Sequence, residues 1–211
     1  MLKIWGRDNS INVQKVLWTC EELGLPYRRV DAGMQYGVVN TPEYRKLNPN
    51  SMVPTIDDEG FVLWESNAIV RYLAAKHGAA SPVPSLWPAD LLVRASADRW
   101  MDWQQTTLWT RGLRDVFWTL VRTPMDQRNP LAFEAARVKS GDMLKIVEAA
   151  LEGGDYLCGD ALTMGDIPMG CAIHRWFALD IERPASPNLE TYYRRLMARP
   201  AYRKISILPL T

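Results

Sequence analysis

The sequence predicts a small α/β unit followed by an all-helical unit. Three observations carry this. Up to Gly78, short apolar runs alternate with segments of helical period, in the order β-α-β then β-β-α. Residues Ala79 to Pro88 then hold three prolines, two serines and no charge, the composition of an ordered linker. From Ala89 onward no strand alternation recurs, and apolar residues return every three or four positions. The expected division is therefore 1–78, a linker at 79–88, and a helical domain at 89–211.

Taken in order, Leu2 to Trp5 is an apolar run ended by Gly6 and reads as the first strand. Asn9 or Ser10 can cap the helix that follows, in which Val13, Val16, Leu17, Cys20 and Leu23 share a face before Gly24 closes it. Pro26 breaks the chain, Tyr27 to Asp31 reads as a second strand, and a glycine-bearing loop over 32–41 leads to a short helix at Pro42 to Leu47. Thr55 to Asp57 and Phe61 to Trp64 form a hairpin about the turn D-D-E-G. Ser66 can cap a further helix running toward Gly78. In the second unit the helical stretches are Leu91 to Val121, Leu131 to Leu151, Ile167 to Leu179 and Leu189 to Met197. Thr163 stands three residues before Asp166, a variant of the capping box in which each side chain can satisfy the other's backbone N–H.

Composition excludes several functions. With 25 basic and 24 acidic side chains in 211 residues the net charge is +1, so no global field draws the chain to nucleic acid or an anionic membrane. No apolar run approaches the ~20 residues of a membrane span, and the expectation is a cytoplasmic protein. Cys20, Cys158 and Cys171 are odd in number and lack metal or dithiol spacing, and His77 and His174 stand alone, so no metal is expected.

The most unusual stretch is N-P-N-S-M-V-P-T-I, from Asn48 to Ile56. Pro54 stands where an apolar strand begins, a position its missing N–H allows only at a strand's first residue or edge. A cis Val53–Pro54 bond is the expected solution, with the Val53 backbone turned outward and unpaired, open to an extended ligand.

That motif, the segment E-S-N-A-I-V-R-Y-L from Glu65 and the segment L-T-M-G-D-I from Leu162, in this order, resemble the cytosolic glutathione transferases across the whole chain. The family's first domain is thioredoxin-like, which is the fold the resemblance implies for 1–78. The segment S-I-N-V-Q-K at Ser10 is most similar to bacterial serine-type enzymes related to the Theta and Nu classes, since no tyrosine follows the first strand.

The resemblance implies roles residue by residue. A glutathione thiol titrates near 8.5 when free, so activation means donors that favour the anion. Ser10 offers a hydroxyl and Asn12 an amide NH₂ at the start of a helix whose dipole also favours negative charge. Read without the family, Ser10 is a helix cap and Asn12 an exposed first-turn residue. Val53, ahead of Pro54, is expected to pair with the cysteinyl backbone of glutathione. Glu65 and Ser66 are expected to take the γ-glutamyl ammonium and carboxylate. Met52 departs from a family pattern that often has lysine for the glycyl carboxylate, leaving the 35–41 loop as the alternative holder.

A small hydrophobic electrophile is expected against the first long helix of the second domain, at Trp103, Thr107 and Arg111, although a stripe rich in tryptophan also reads as core or subunit interface. The resemblance also implies a homodimer, with Arg71, Asp98 and Asp102 as candidate pairs across it; exposed helix charges are the alternative reading of these residues. The expected activity is conjugation of glutathione as thiolate. Glutathione-dependent peroxide or disulfide reduction and a non-catalytic interaction module are the alternatives.

Overall fold

The computed structural model describes residues 1–211. A four-stranded sheet is built from β1 (Leu2–Trp5), β2 (Tyr27–Val30), β3 (Thr55–Asp58) and β4 (Phe61–Trp64), in the order β2-β1-β3-β4. β1 and β2 run parallel, as the helical crossover between them requires, with Ile4 opposite Arg29. β3 lies antiparallel to β1, with Ile4 opposite Ile56, and β4 antiparallel to β3. The tight β3–β4 turn needs positive φ at Glu59 and Gly60, and Asp57 Oδ1 accepts the Gly60 N–H at 2.7 Å to close it.

The crossover helix α1 (Ile11–Leu23) ends at Gly24 in the left-handed conformation that glycine adopts freely. It is buried well beyond its apolar face: Gln14, Lys15, Trp18, Thr19 and Glu22 are covered too. The sheet and α3 (Ser66–His77) cover one side, and α7 (Asp166–Ala178) and α9 (Pro200–Ser206) cover the other. Gly170 on α7 permits that approach, since a Cβ there would lie 2.8 Å from the Trp18 ring. One continuous apolar core consequently runs through both parts, from Ile4 and Val16 to Ile167, Tyr192 and Tyr202.

Between the strands, α2 (Pro42–Leu47) starts at Thr41, whose hydroxyl accepts the Tyr44 N–H at 3.2 Å. The helical part comprises α4 (Leu91–Trp103), α5 (Arg114–Val121), α6 (Pro130–Ala150), α7, α8 (Pro187–Ala198) and α9. No helix is long and apolar enough to cross a membrane.

Four expectations need correction. The stretch 91–121 is interrupted by a π-helical segment, Gln104–Leu113, which rotates the side chains beyond it away from a 3.6-residue stripe. Ser66 does not cap α3: Glu65 holds the cap position with φ 72°, and Ser66 is the first helical residue. At Asp166 the capping box closes on one side only. The carboxylate accepts the Thr163 N–H at 2.8 Å, while the Thr163 hydroxyl donates to the same carboxylate at 3.0 Å and leaves the Asp166 N–H to the Thr163 carbonyl. Arg71, Asp98 and Asp102 pair within the chain. Asp98 and Asp102 are one turn apart on α4, so the Arg71 fork reaches both, at 2.6 and 2.7 Å.

Candidate active site

A cavity of about 340 Å³ opens between the sheet unit and the helical unit. Ser10, Ile11 and Asn12 bring the first turn of α1 to it, Gly33, Met34 and Val39 the loop after β2, and Ser51, Met52 and Val53 the turn before β3. Trp109, Phe117, Trp118, Arg122 and Arg175 form the facing wall.

Ser10 occupies the N-cap position of α1, yet its hydroxyl makes no capping bond. A serine there ordinarily accepts a first-turn N–H. Here both the hydroxyl and the positive end of the helix are left for another anion. Arg175 fixes the approach to this turn. Its Nη2 donates to the Asn9 carbonyl at 3.2 Å and to Gln14 Oε1 at 2.9 Å, and Gln14 Nε2 donates on to the Ile205 carbonyl at 3.0 Å. Asn12 accepts from Ser66 Oγ at 3.3 Å through its side-chain oxygen, which leaves its NH₂ unpaired within the chain.

The turn before β3 is held from behind. Asn48 is buried and donates from Nδ2 to the Met52 carbonyl and to Thr55 Oγ1, both at 3.0 Å, while Asn48 Oδ1 accepts the Asn50 N–H at 3.0 Å. Tyr44 adds a donation to the Met52 carbonyl at 2.6 Å. The Val53–Pro54 bond is cis. Neither the N–H nor the carbonyl of Val53 bonds within the chain.

The sequence-derived residues fall into three groups. Ser10, Asn12, Met52 and Val53 line the cavity together. Pro54, Glu65 and Ser66 do not line it; Pro54 follows Val53, Ser66 is tied to the lining through Asn12, and Glu65 is exposed with positive φ. Trp103, Thr107 and Arg111 do not line it. The π-helical segment carries the wall onto Trp109, and Trp103 packs edge-on against Trp100 with ring centroids 5.5 Å apart. From the 35–41 loop only Val39 reaches the lining, and it brings no cation to replace the lysine absent at Met52.

The arginines were not legible beforehand. Arg7 and Arg175 are buried at the end of β1 and on α7. Burial pulls the Arg175 guanidinium down to about 10, with Arg7 and Arg122 adding repulsion. Arg7 is lowered by burial and then by Arg122, against a weaker pull from Asp8. Burial pushes the Cys171 thiol up to about 11 and Cys20 higher, so neither is a nucleophile, and no cluster of three or more His, Cys, Asp or Glu could hold a metal.

The fold and this cavity agree with what the chain is similar to. Residues 9–76 match the family model for the glutathione S-transferase N-terminal domain, and residues 113–200 match that for the C-terminal domain. The chain belongs to the glutathione S-transferase family. It is 38% identical to glutathione S-transferase GstB of Escherichia coli (strain K12) over 100% of both chains. It is 31% identical to glutathione S-transferase 3 of Zea mays, over 99% of this chain and 95% of that one. The theta class glutathione S-transferase of Xanthomonas axonopodis pv. citri, solved with glutathione bound, superposes with a TM-score of 0.93 at 47% identity, covering 100% of this transferase and 99% of that chain. As a glutathione S-transferase the protein is an enzyme, with the thioredoxin-like sheet domain and helical second domain of its family. The reductase and interaction-module alternatives find no favour among these relatives.

Proposed function

We propose that this transferase binds glutathione in the cavity described and activates its thiol through Ser10, with Asn12 supporting, for attack on a small electrophile. The observation that carries this reading is Ser10, which lines the cavity at the start of α1 and whose hydroxyl is not spent on its own helix. Residues 1–78 form the glutathione-binding domain, 79–88 the linker and 89–211 the helical domain. Val53 pairs its free N–H and carbonyl with the cysteinyl unit, Pro54 holds that edge, and Met52 packs against the glycyl end. Glu65 takes the γ-glutamyl ammonium and Ser66, at the α3 N-terminus, its carboxylate. The electrophile lies against Trp109, Phe117 and Trp118. No metal takes part. The protein works as a cytoplasmic homodimer, so light scattering should give about twice the 24.1 kDa chain mass.

The deciding experiment is a titration of enzyme-bound glutathione followed by thiolate absorbance. In the wild type the thiol should titrate at least about one unit below the free value near 8.5, and Ser10→Ala should return it most of the way. A bound thiol that titrates as in solution removes the activation argument. Restoration by Asn12→Ala alone makes Asn12 the principal donor.

A further inference from the structure

The lining of the cavity holds three arginines. Arg7, Arg122 and Arg175 all line it, and no aspartate or glutamate does. Asp8, the acid that acts on Arg7, lies 3.4 Å from Arg29 Nη2. Arg7 is 6% exposed and Arg175 1%, and the Nε of each is buried with no hydrogen-bond partner. Burying an unpaired cation is costly, and burying two beside a third is tolerated where an anion completes the group. Within the chain these guanidiniums meet no aspartate or glutamate; Asn9 Oδ1 accepts from Arg7 Nη1 at 2.7 Å. The Thr211 hydroxyl oxygen accepts from Arg7 Nη1 at 3.2 Å and its main-chain oxygen accepts from Arg122 Nη2 at 3.0 Å. Arg122 also lies 5.7 Å from the Phe117 ring centroid and 5.4 Å from that of Trp118, so the cations flank an aromatic surface.

From this geometry we infer that the second substrate is an anion: a small aromatic electrophile carrying a carboxylate, its ring on Phe117 and Trp118 and its carboxylate on Arg7 and Arg122 in place of Thr211. Arg175 is a positioning residue, since its Nη atoms are committed to Asn9, Gln14 and the Cys171 carbonyl. It holds the α1 turn and adds positive potential. The inference rests on the transferase reading and narrows it. In the reaction the glutathione thiolate attacks the ring carbon bearing a halide, the C–S bond forms, the C–halogen bond breaks and halide leaves with the bonding pair.

The test uses a matched pair, 4-chloro-3-nitrobenzoate and 4-chloro-3-nitrobenzamide, which differ in charge and little in shape. For each, kcat/KM is divided by its uncatalysed rate with glutathione, removing intrinsic reactivity. The benzoate should lead by about tenfold or more, the scale of one charge-assisted hydrogen bond. In Arg122→Gln, an exposed position whose replacement leaves the core intact, the ratio should fall to within about twofold of one, and Arg122→Lys should recover part of it. A ratio near one in the wild type, or one unmoved in Arg122→Gln, overturns the inference. A higher KM for glutathione in Arg122→Gln with the ratio preserved also overturns it, because the cation then serves the peptide. If neither compound is turned over, the conjugation reading fails on this pair, and binding decides the charge question. Quenching of tryptophan fluorescence by S-(4-carboxy-2-nitrophenyl)glutathione and its carboxamide analogue should show the carboxylate binding about tenfold tighter. Equal affinities overturn the inference independently of turnover.

Discussion

Ser66 Oγ donates to Asn12 Oδ1 at 3.3 Å, joining the first turn of α3 to the first turn of α1 across 54 residues of sequence. The bond fixes the Asn12 amide with its oxygen turned to Ser66 and its NH₂ free, so the two proposed subsites share a polar contact. Ser66→Ala should therefore reach beyond γ-glutamyl binding and raise the pKa of the bound thiol by a few tenths of a unit as Asn12 loses its orientation. In a double-mutant cycle, Ser66→Ala and Asn12→Ala should be non-additive in kcat/KM by about 0.5 kcal/mol or more. Strict additivity would show the contact to be idle.

Glu22 is buried, and its carboxylate accepts from Trp18 Nε1 at 2.8 Å and from the Arg199 fork at 2.7 and 2.6 Å. The bond to Glu22 is the main cause raising the Arg199 guanidinium above its ordinary value. Arg199→Ala leaves a covered carboxylate with one donor. It should cost about 2 kcal/mol, less than the ~3–5 kcal/mol of a fully dry pair because the Arg199 side chain keeps 25% of its surface exposed. Urea unfolding measures this, and adding Glu22→Gln to Arg199→Ala should recover more than half.

His174 sets an acid limit on stability. Burial, followed by the charge of Arg175, lowers it to about 4, with Nδ1 3.0 Å from the Tyr193 hydroxyl. Its folded value lies below the unfolded one near 6.5, so above pH 6.5 both states are neutral and nothing is lost. Between 6.5 and 4 the unfolded chain takes a proton that the folded chain refuses, and stability falls by about 1.4 kcal/mol per pH unit. Urea midpoints at pH 7 and pH 5 should show His174→Phe losing about 2 kcal/mol less than the wild type over that interval. Equal losses exclude His174 as the source.

Gln104 is fully buried at the start of the π-helical segment, and neither atom of its side-chain amide has a partner. Unpaired buried amide atoms cost about 1–3 kcal/mol, and methionine has similar length without them. Gln104→Met should raise stability by about 1 kcal/mol in thermal or urea unfolding. A lower midpoint would show that the amide makes bonds worth keeping.

The strands and most of the helices were legible because they depend on local signals: period, caps, and a proline at the head of a strand. That Ser10, Asn12, Met52 and Val53 stand about one cavity was legible only through the family resemblance, since local signals alone make Ser10 a cap and Asn12 an exposed first-turn residue. The wall of the cavity was not. Trp103, Thr107 and Arg111 follow one another at a helical period that the π-helical segment breaks, and nothing in the spacing signals i to i+5 hydrogen bonding. The burial of Lys15, Trp18 and Glu22 was also hidden. A helix covered on two sides has no single apolar stripe to display, and Lys15 is accommodated by donating to Gln105 Oε1 at 2.9 Å while burial lowers it to about 8. Arg7 and Arg175 are 168 positions apart and meet only through the packing of α7 on α1.

The packing of α1 against α7 and α9 bears on how the molecule comes apart. Because the helix that presents Ser10 is sealed on one side by the sheet and on the other by the bundle, the two parts should melt together in a single cooperative transition. A fragment ending at the linker would expose Trp18, Lys15 and Glu22 to water and lose the Arg175 contacts that hold the Asn9–Ser10 turn. The helical half is thus an obligate buttress for the thiol-activating turn as well as a wall for the second substrate.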